Sequence, residues 1–300
     1  MKAFECIATV AELYYEKLGD YMDAIFGLTS TAIKTDSDIV GQKAIEFWCT
    51  VCETEATLVE MLAEEESLPD GLIFLNISEQ AANELVPLLL ETMTKQQDDI
   101  DEDSWDVSMA AATCLGSLSK AIGDNIVDLV VPFVSGNVMS DNWRLKEASI
   151  LAFGSIMEGP SEDKLTPIVA SALPMLLDCL RDDSMRVRDS ATYTVGRVCE
   201  HHTGAIADEL IPSLFEALAG TLEDGFSQVA MQGCTAIHHL GGACMDSSEE
   251  ETNVLSPYLG PLLEKLLSVT NRDDWDENNL RSTAYEAINM LVESSAEDMQ

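Results

Sequence analysis

Positive charge is what this sequence lacks most. Its 300 residues include 16 Lys and Arg against 54 Asp and Glu, a formal −38 at pH 7. So anionic a chain repels phosphate backbones and acidic lipid surfaces, which excludes general binding to nucleic acid and electrostatic docking on a membrane. It favours basic partners, drawn in by the long-range field and held with strong salt sensitivity. No apolar run approaches the roughly 18 residues that a membrane-spanning helix needs. The opening MKAFECIATVAELYYEK is not a signal peptide, because Glu5 and Glu12 interrupt the apolar core that such a leader requires. The eight Cys (6, 49, 52, 114, 179, 199, 234 and 244) are scattered singly in apolar helical patterns, and only Cys49 and Cys52 are close. They read as reduced core residues of a cytosolic or nuclear protein. Alternating strand patterns with hairpin turns are missing too, as are a phosphate-cradling glycine loop, GxSxG and HExxH. The expectation is a protein that is not an enzyme and uses no cofactor.

What is present is helix, in quantity. An apolar content of 46% is normal for a folded chain, and apolar residues recur at three and four. The helices come in pairs that repeat. The second helices superpose as FECIATVAELY, AIEFWCTVCE, AATCLGSLSK, ILAFGSIMEG, ATYTVGRVCE, CTAIHHLGGA and EAINMLVESS, with Ala8, Cys49, Gly116, Gly154, Gly196, His238 and Asn289 equivalent. Successive spacings are 41, 67, 38, 42, 42 and 51 residues, most of them near the roughly 40–47-residue period of HEAT or armadillo repeats. The first helices each carry a proline at one repeat position (Pro87, Pro132, Pro174, Pro212 and Pro261), where a missing donor predicts a kink. Asp182-Asp183-Ser184 and Asp141-Asn142 predict capped starts for the following helices. Gly116, Gly154 and Gly196 suit close helix packing. The fold predicted is all-α, an α-α superhelix of about six to seven HEAT pairs forming one segment over 1–300: a lone second helix at 1–17, then pairs at 18–64, 76–122, 124–159, 163–202, 205–245 and 253–298. Because a second helix comes first, Met1 is expected to open a piece of a longer array.

The two long intervals hold insertions, which in repeat proteins map to loops on one face. One contains residues 97–106, with Asp98, Asp99, Asp101, Glu102, Asp103 and Asp106, no cation and a single aromatic, Trp105. Like charges repel, so this stretch predicts a mobile loop. The bland alternative is a solvated surface loop; on a stiff helical frame the same loop suits clamping of a cationic ligand.

Several segments are more specific than any HEAT pattern. Ile45-Glu46-Phe47-Trp48, Asn142-Trp143-Arg144, Ala152 to Pro160 (AFGSIMEGP), Val187-Arg188-Asp189, Thr194-Val195-Gly196-Arg197, Thr270-Asn271-Arg272 and Asn279-Leu280-Arg281-Ser282 with Ala284-Tyr285 resemble the importin-β (karyopherin-β) family, in order and along almost the whole chain. The resemblance implies an interior stretch of a nuclear import receptor, working in cytoplasm and nucleus and at the nuclear pore. Such a receptor grips the basic importin-β-binding segment of an importin-α-type adaptor, or a basic cargo, on its concave face. It binds phenylalanine-glycine nucleoporins on its outer face and releases cargo to Ran-GTP. By that resemblance Asp98, Asp99, Asp101, Glu102, Asp103 and Trp105 contact the basic segment. Tyr193 and Thr235 stand where the family has stacking tryptophans; tyrosine can take a cation on its face and threonine cannot. Tyr21 matches a nucleoporin-pocket tyrosine, with Met22, Ile25 and Leu28 on the same predicted helix, although Ile25 and Leu28 read better as core between repeats. The other half of the principal pocket is expected upstream of Met1. The family's main Ran contacts also lie in its first repeats, which leaves at most a secondary contact through the acidic loop.

His201, His202, His238 and His239 gather near Cys199, Cys234 and Cys244, but without the CxxC or HxxxH spacing of a zinc site, so they read as core and helix-end residues rather than metal ligands. Of the tryptophans, Trp48 reads as core and Trp105 as functional. The competing function is a HEAT scaffold for a multiprotein complex such as a phosphatase.

Overall fold

A computed structural model describes residues 2–65, 68, 72–97 and 106–299. Among these, every regular element is helical. The chain divides into two compact units, 1–164 and 165–300.

In the first unit, α1 (Lys2–Leu13), α3 (Asp38–Glu65), α5 (Val107–Ile122) and α7 (Trp143–Ser155) pack one on the next. α2 (Met22–Thr35), α4 (Ile77–Met93) and α6 (Val127–Asn137) stack likewise, and each second helix packs on its own first helix. Small residues let the second helices approach. A Cβ on Gly116 would sit 3.4 Å from the Ser155 carbonyl oxygen. Gly159, at φ +113°, lies against Ser119 so closely that any side chain would overlap the Ser119 carbonyl, which is why the AFGSIMEGP turn needs glycine there. Ser119 Oγ ties the same turn down by donating to the Glu158 carbonyl at 2.8 Å.

The second unit continues the alternation. α8 (Glu162–Cys179), which begins just before the boundary, is followed by α9 (Met185–His201), α10 (Ile211–Thr221), α11 (Ser227–Gly242), α12 (Leu259–Val269) and α13 (Leu280–Glu293). α9, α11 and α13 pack in succession, while α10 lies on α11 and α12 on α13. Gly196 again marks a close approach, with Ala236 Cβ 3.4 Å from where its own Cβ would be.

Two local expectations need correction. Of the five repeat prolines, Pro87, Pro132 and Pro174 are inside helices, but Pro212 and Pro261 fall in the first turns of α10 and α12. There the amide has no helical acceptor to lose, so no kink follows. All five are exposed, so carbonyls left without a donor can bond water. Asn142 caps α7 by accepting from the Arg144 amide at 3.0 Å. Ser184 occupies the cap position of α9 without a side-chain bond; Asp182 closes that turn instead, accepting from the Ser184 amide at 2.9 Å.

Candidate functional site

A cavity of about 390 Å³ opens between α2 and α4 in the first unit. Phe26 and Trp48 are aromatic members of its lining, meeting edge to face with centroids 5.6 Å apart. Trp48 is 1% exposed, and its indole N–H donates to Thr29 Oγ1 at 3.0 Å, so its polar atom is satisfied inside the core. Met22, Leu75, Ile77 and Ala81 supply aliphatic wall, while Asp23, Gln80 and Glu84 add exposed polar groups. An apolar or aromatic side chain suits such a lining, and the rim carboxylates can accept N–H groups from the segment that presents it.

The α4 wall is held by a buried carboxylate. Glu55 on α3 is fully buried and accepts from the Ile77 amide at 2.6 Å and the Ser78 amide at 2.7 Å, two donors that the first turn of a helix leaves free. The Tyr15 hydroxyl donates to the same carboxylate, and the Leu75 amide donates to the Tyr15 oxygen at 3.0 Å. Burial, then the hydrogen bond to Glu55, pushes the Tyr15 phenol well above its ordinary pKa. Leu75 and Ile77, both in the cavity wall, are therefore positioned by Tyr15 and Glu55.

The residues expected at a nucleoporin pocket separate. Met22 lines the cavity, Ile25 is buried, and Tyr21 and Leu28 are each 64% exposed. Tyr21 precedes α2 in a 3₁₀ turn, Gly19–Tyr21, rather than sharing its helix. The wall opposite α2 comes from α4, downstream in the chain. Phe26 lies four residues after Met22, the spacing that puts two side chains on one helix face, and lines the cavity beside it. Trp48 is core, as read, and lines the cavity as well.

Asp98, Asp99, Asp101, Glu102, Asp103 and Trp105 lie outside the described residues. The described residues on either side are well tied. Gln96 donates to the Arg144 carbonyl at 2.9 Å and to Glu147, while Arg144 Nε returns a bond to the Gln96 carbonyl at 3.3 Å. Asp106 caps α5, accepting from the Met109 amide at 2.9 Å. Tyr193 is half-buried on α9 and Thr235 half-buried on α11.

Comparison with known proteins decides the family. The curated importin subunit beta-1 of Arabidopsis thaliana is 38% identical over 99% of this chain, and that of Saccharomyces cerevisiae is 32% identical over 97%. The chain is an importin-β homologue. It spans about a third of those relatives, 35% and 33% of their lengths. A family model for importin subunit beta-1-like TPR repeats matches residues 209–300, and one for HEAT-like repeats matches 143–198. The structure superposes on yeast importin-β (Kap95p) with a TM-score of 0.91, on a Kap95:Nup1 complex with 0.90 and on Kap95p with RanGDP with 0.87. Each is 31% identical, with at least 98% of this chain and 34% of that chain covered.

Several residues that mark the importin-β resemblance serve architecture. Arg188 makes a two-pronged bond to Asp224, at 2.6 and 3.1 Å, and donates to the Asp182 carbonyl at 2.9 Å. Arg272 pairs with Asp274 and donates to the Leu222 and Asp224 carbonyls at 3.1 and 2.7 Å. Arg281 stacks 3.4 Å over Trp275. In the histidine cluster, Glu200 gathers Arg197 at 2.5 Å, His201 at 3.2 Å and His239 at 3.8 Å. Burial lowers the His239 pKa against the opposing pull of Glu200. Among the described residues, no group of three His, Cys, Asp or Glu is arranged to hold a metal ion, and no helix is long and apolar enough to cross a membrane.

Proposed function

We propose that the chain is a working segment of a nuclear import receptor, shuttling between cytoplasm and nucleus through the pore. Its cavity between α2 and α4 takes a phenylalanine side chain of a phenylalanine-glycine nucleoporin. The single observation behind this is the pairing of Phe26 and Trp48 in a cavity whose lining combines aliphatic side chains with Asp23, Gln80 and Glu84. An aromatic guest gains edge-to-face contact there, while its flanking amides meet Asp23 and Glu84. The relative Kap95 is described in complex with Nup1 and with RanGDP, which supports the same partner classes here.

The basic segment of an importin-α-type adaptor, or a basic cargo, binds through Asp98, Asp99, Asp101, Glu102, Asp103 and Trp105, with Tyr193 offering a ring to a cation. Release follows when Ran-GTP competes. A net charge of −38 makes this arm strongly salt-dependent.

The test is fluorescence anisotropy with a labelled phenylalanine-glycine repeat peptide. Ala81→Trp fills the cavity from its α4 wall without deleting core atoms, and it is expected to weaken binding about tenfold or more. Unchanged affinity in a folded Ala81→Trp protein would remove the cavity from this function. Neutralising the five carboxylates 98, 99, 101, 102 and 103 should leave that peptide's affinity intact and weaken a basic adaptor peptide, most at low salt.

A further inference from the structure

Cys49 and Cys52 lie three residues apart on α3, so their thiols share one side of the helix. α5, packed against α3, brings Cys114 to them. Cys114 lies near enough to Cys49 and Cys52 for both to raise its pKa, and Ser78 Oγ stands 3.6 Å from the Cys52 sulfur. Cys52 and Cys114 are fully buried, whereas Cys49 is only half-buried. Cys49 also lines a second cavity of about 300 Å³, together with Ile45, Glu46, Ala110 and Thr113. One thiol of the cluster is thus open to a small reagent and lies near another that solvent does not reach.

We propose that these three thiols form an oxidative cross-linking site, in which Cys49 meets a small hydroperoxide and Cys114 resolves it, joining α3 to α5 by a disulfide. In the first step the Cys49 sulfur, as thiolate, attacks one oxygen of hydrogen peroxide. The O–O bond breaks, hydroxide leaves and takes up the thiol proton as water, and Cys49 becomes a sulfenic acid. In the second step the Cys114 sulfur attacks the Cys49 sulfur. The S–O bond breaks, and the departing hydroxide takes the Cys114 proton to give a second water. Two thiols and one peroxide become one disulfide and two waters, the two electrons passing from sulfur to peroxide oxygen. The neighbouring Cys49 and Cys52, with burial, hold the Cys114 thiol well above its ordinary pKa, so little of it is thiolate and the second step is slow. Exchange onto Cys52, which also lies near Cys114, leaves the same two helices joined.

The experiment treats the chain carrying Cys6→Ser, which removes the exposed thiol, with hydrogen peroxide. Remaining thiols are blocked, and a tryptic digest without reductant is read by mass spectrometry. The expected product joins Ala44–Lys95 to Gln96–Lys120, lighter by two hydrogens than the separate peptides and reversed by dithiothreitol. Adding Cys49→Ser should slow its appearance at least roughly tenfold, whereas Cys52→Ser should leave it. Circular dichroism melting shows that each variant is folded, serine being close in size. Cys49 carried to sulfinic or sulfonic acid with no joined peptide overturns the proposal. So does a joined peptide that forms as fast in Cys49→Ser.

Discussion

The two units contrast in the charge of their main turn anchors, although Arg144 also bonds a backbone carbonyl in the first. In the first, the central anchor is an anion: Glu55 buries its carboxylate against the Ile77 and Ser78 amides and the Tyr15 hydroxyl. In the second, the anchors are cations: Arg188 and Arg272 reach across turns to Asp224, Asp274 and backbone carbonyls. A chain with 16 basic residues places several of its arginines where helix pairs connect. A carboxylate can satisfy free N–H groups at a helix start, whereas only a donor can satisfy carbonyls at a helix end and its turn. The chemistry of the anchor follows which end of which helix is being tied.

That contrast can be broken experimentally, and hydrogen exchange read on peptides of each unit keeps the two apart. The largest effect is expected from Glu55→Ala, which orphans three donors and should cost the first unit about 3 kcal/mol or more. Glu55→Gln keeps an acceptor and should cost roughly half of that. If exchange in α4 is unchanged, the anionic anchor is not what holds the cavity wall. Arg188→Ala should cost the second unit about 2 kcal/mol, with Arg188→Lys recovering only part because an ammonium cannot grip Asp224 with two prongs. Equal loss in both units would erase the distinction.

A smaller effect belongs to Asp189 on α9. Burial, opposed by Arg186 and reinforced by Asp224, pushes its carboxyl up to about 6. A raised carboxyl binds its proton more tightly folded than unfolded, so stability falls as pH rises from about 4 to about 6 and is level above. Asp189→Asn should flatten that slope in the second unit and gain about 1 kcal/mol at pH 7. Asp274 runs the other way: Arg272 holds it below the ordinary value, and its contribution is lost only as pH falls below about 4. The smallest change is expected for Trp275→Leu, which removes the stacking with Arg281 and should cost about 0.5–1 kcal/mol by urea unfolding.

Much of this architecture was legible beforehand. Helix pairs announce themselves through apolar spacing at three and four, and a repeat period needs no knowledge of contacts. Finer features were less so. Pro212 and Pro261 look identical to Pro87 in a repeat superposition, yet α10 and α12 start later relative to their prolines, and that alone turns a kink into a first-turn residue. At the cavity, helical phase decides which residues face it. Ile25 and Leu28 follow one stripe of α2 and Met22 with Phe26 the next, and a shift of one residue turns a helix by about 100°. Which stripe faces α4 depends on how the two helices roll against each other.

The sequence by itself determined the charge, the all-helical pairing and the repeat period, because these depend on composition and on neighbours within a turn or two. Tertiary structure decided which residues meet: Met22 with Ala81 around one cavity, Cys49 with Cys114 beside another, Arg188 with Asp224 at a turn. Those partners are 36 or more residues apart in the chain, and their contact depends on how each helix is rotated in its layer. The packing of whole faces sets that rotation, and no local pattern records it.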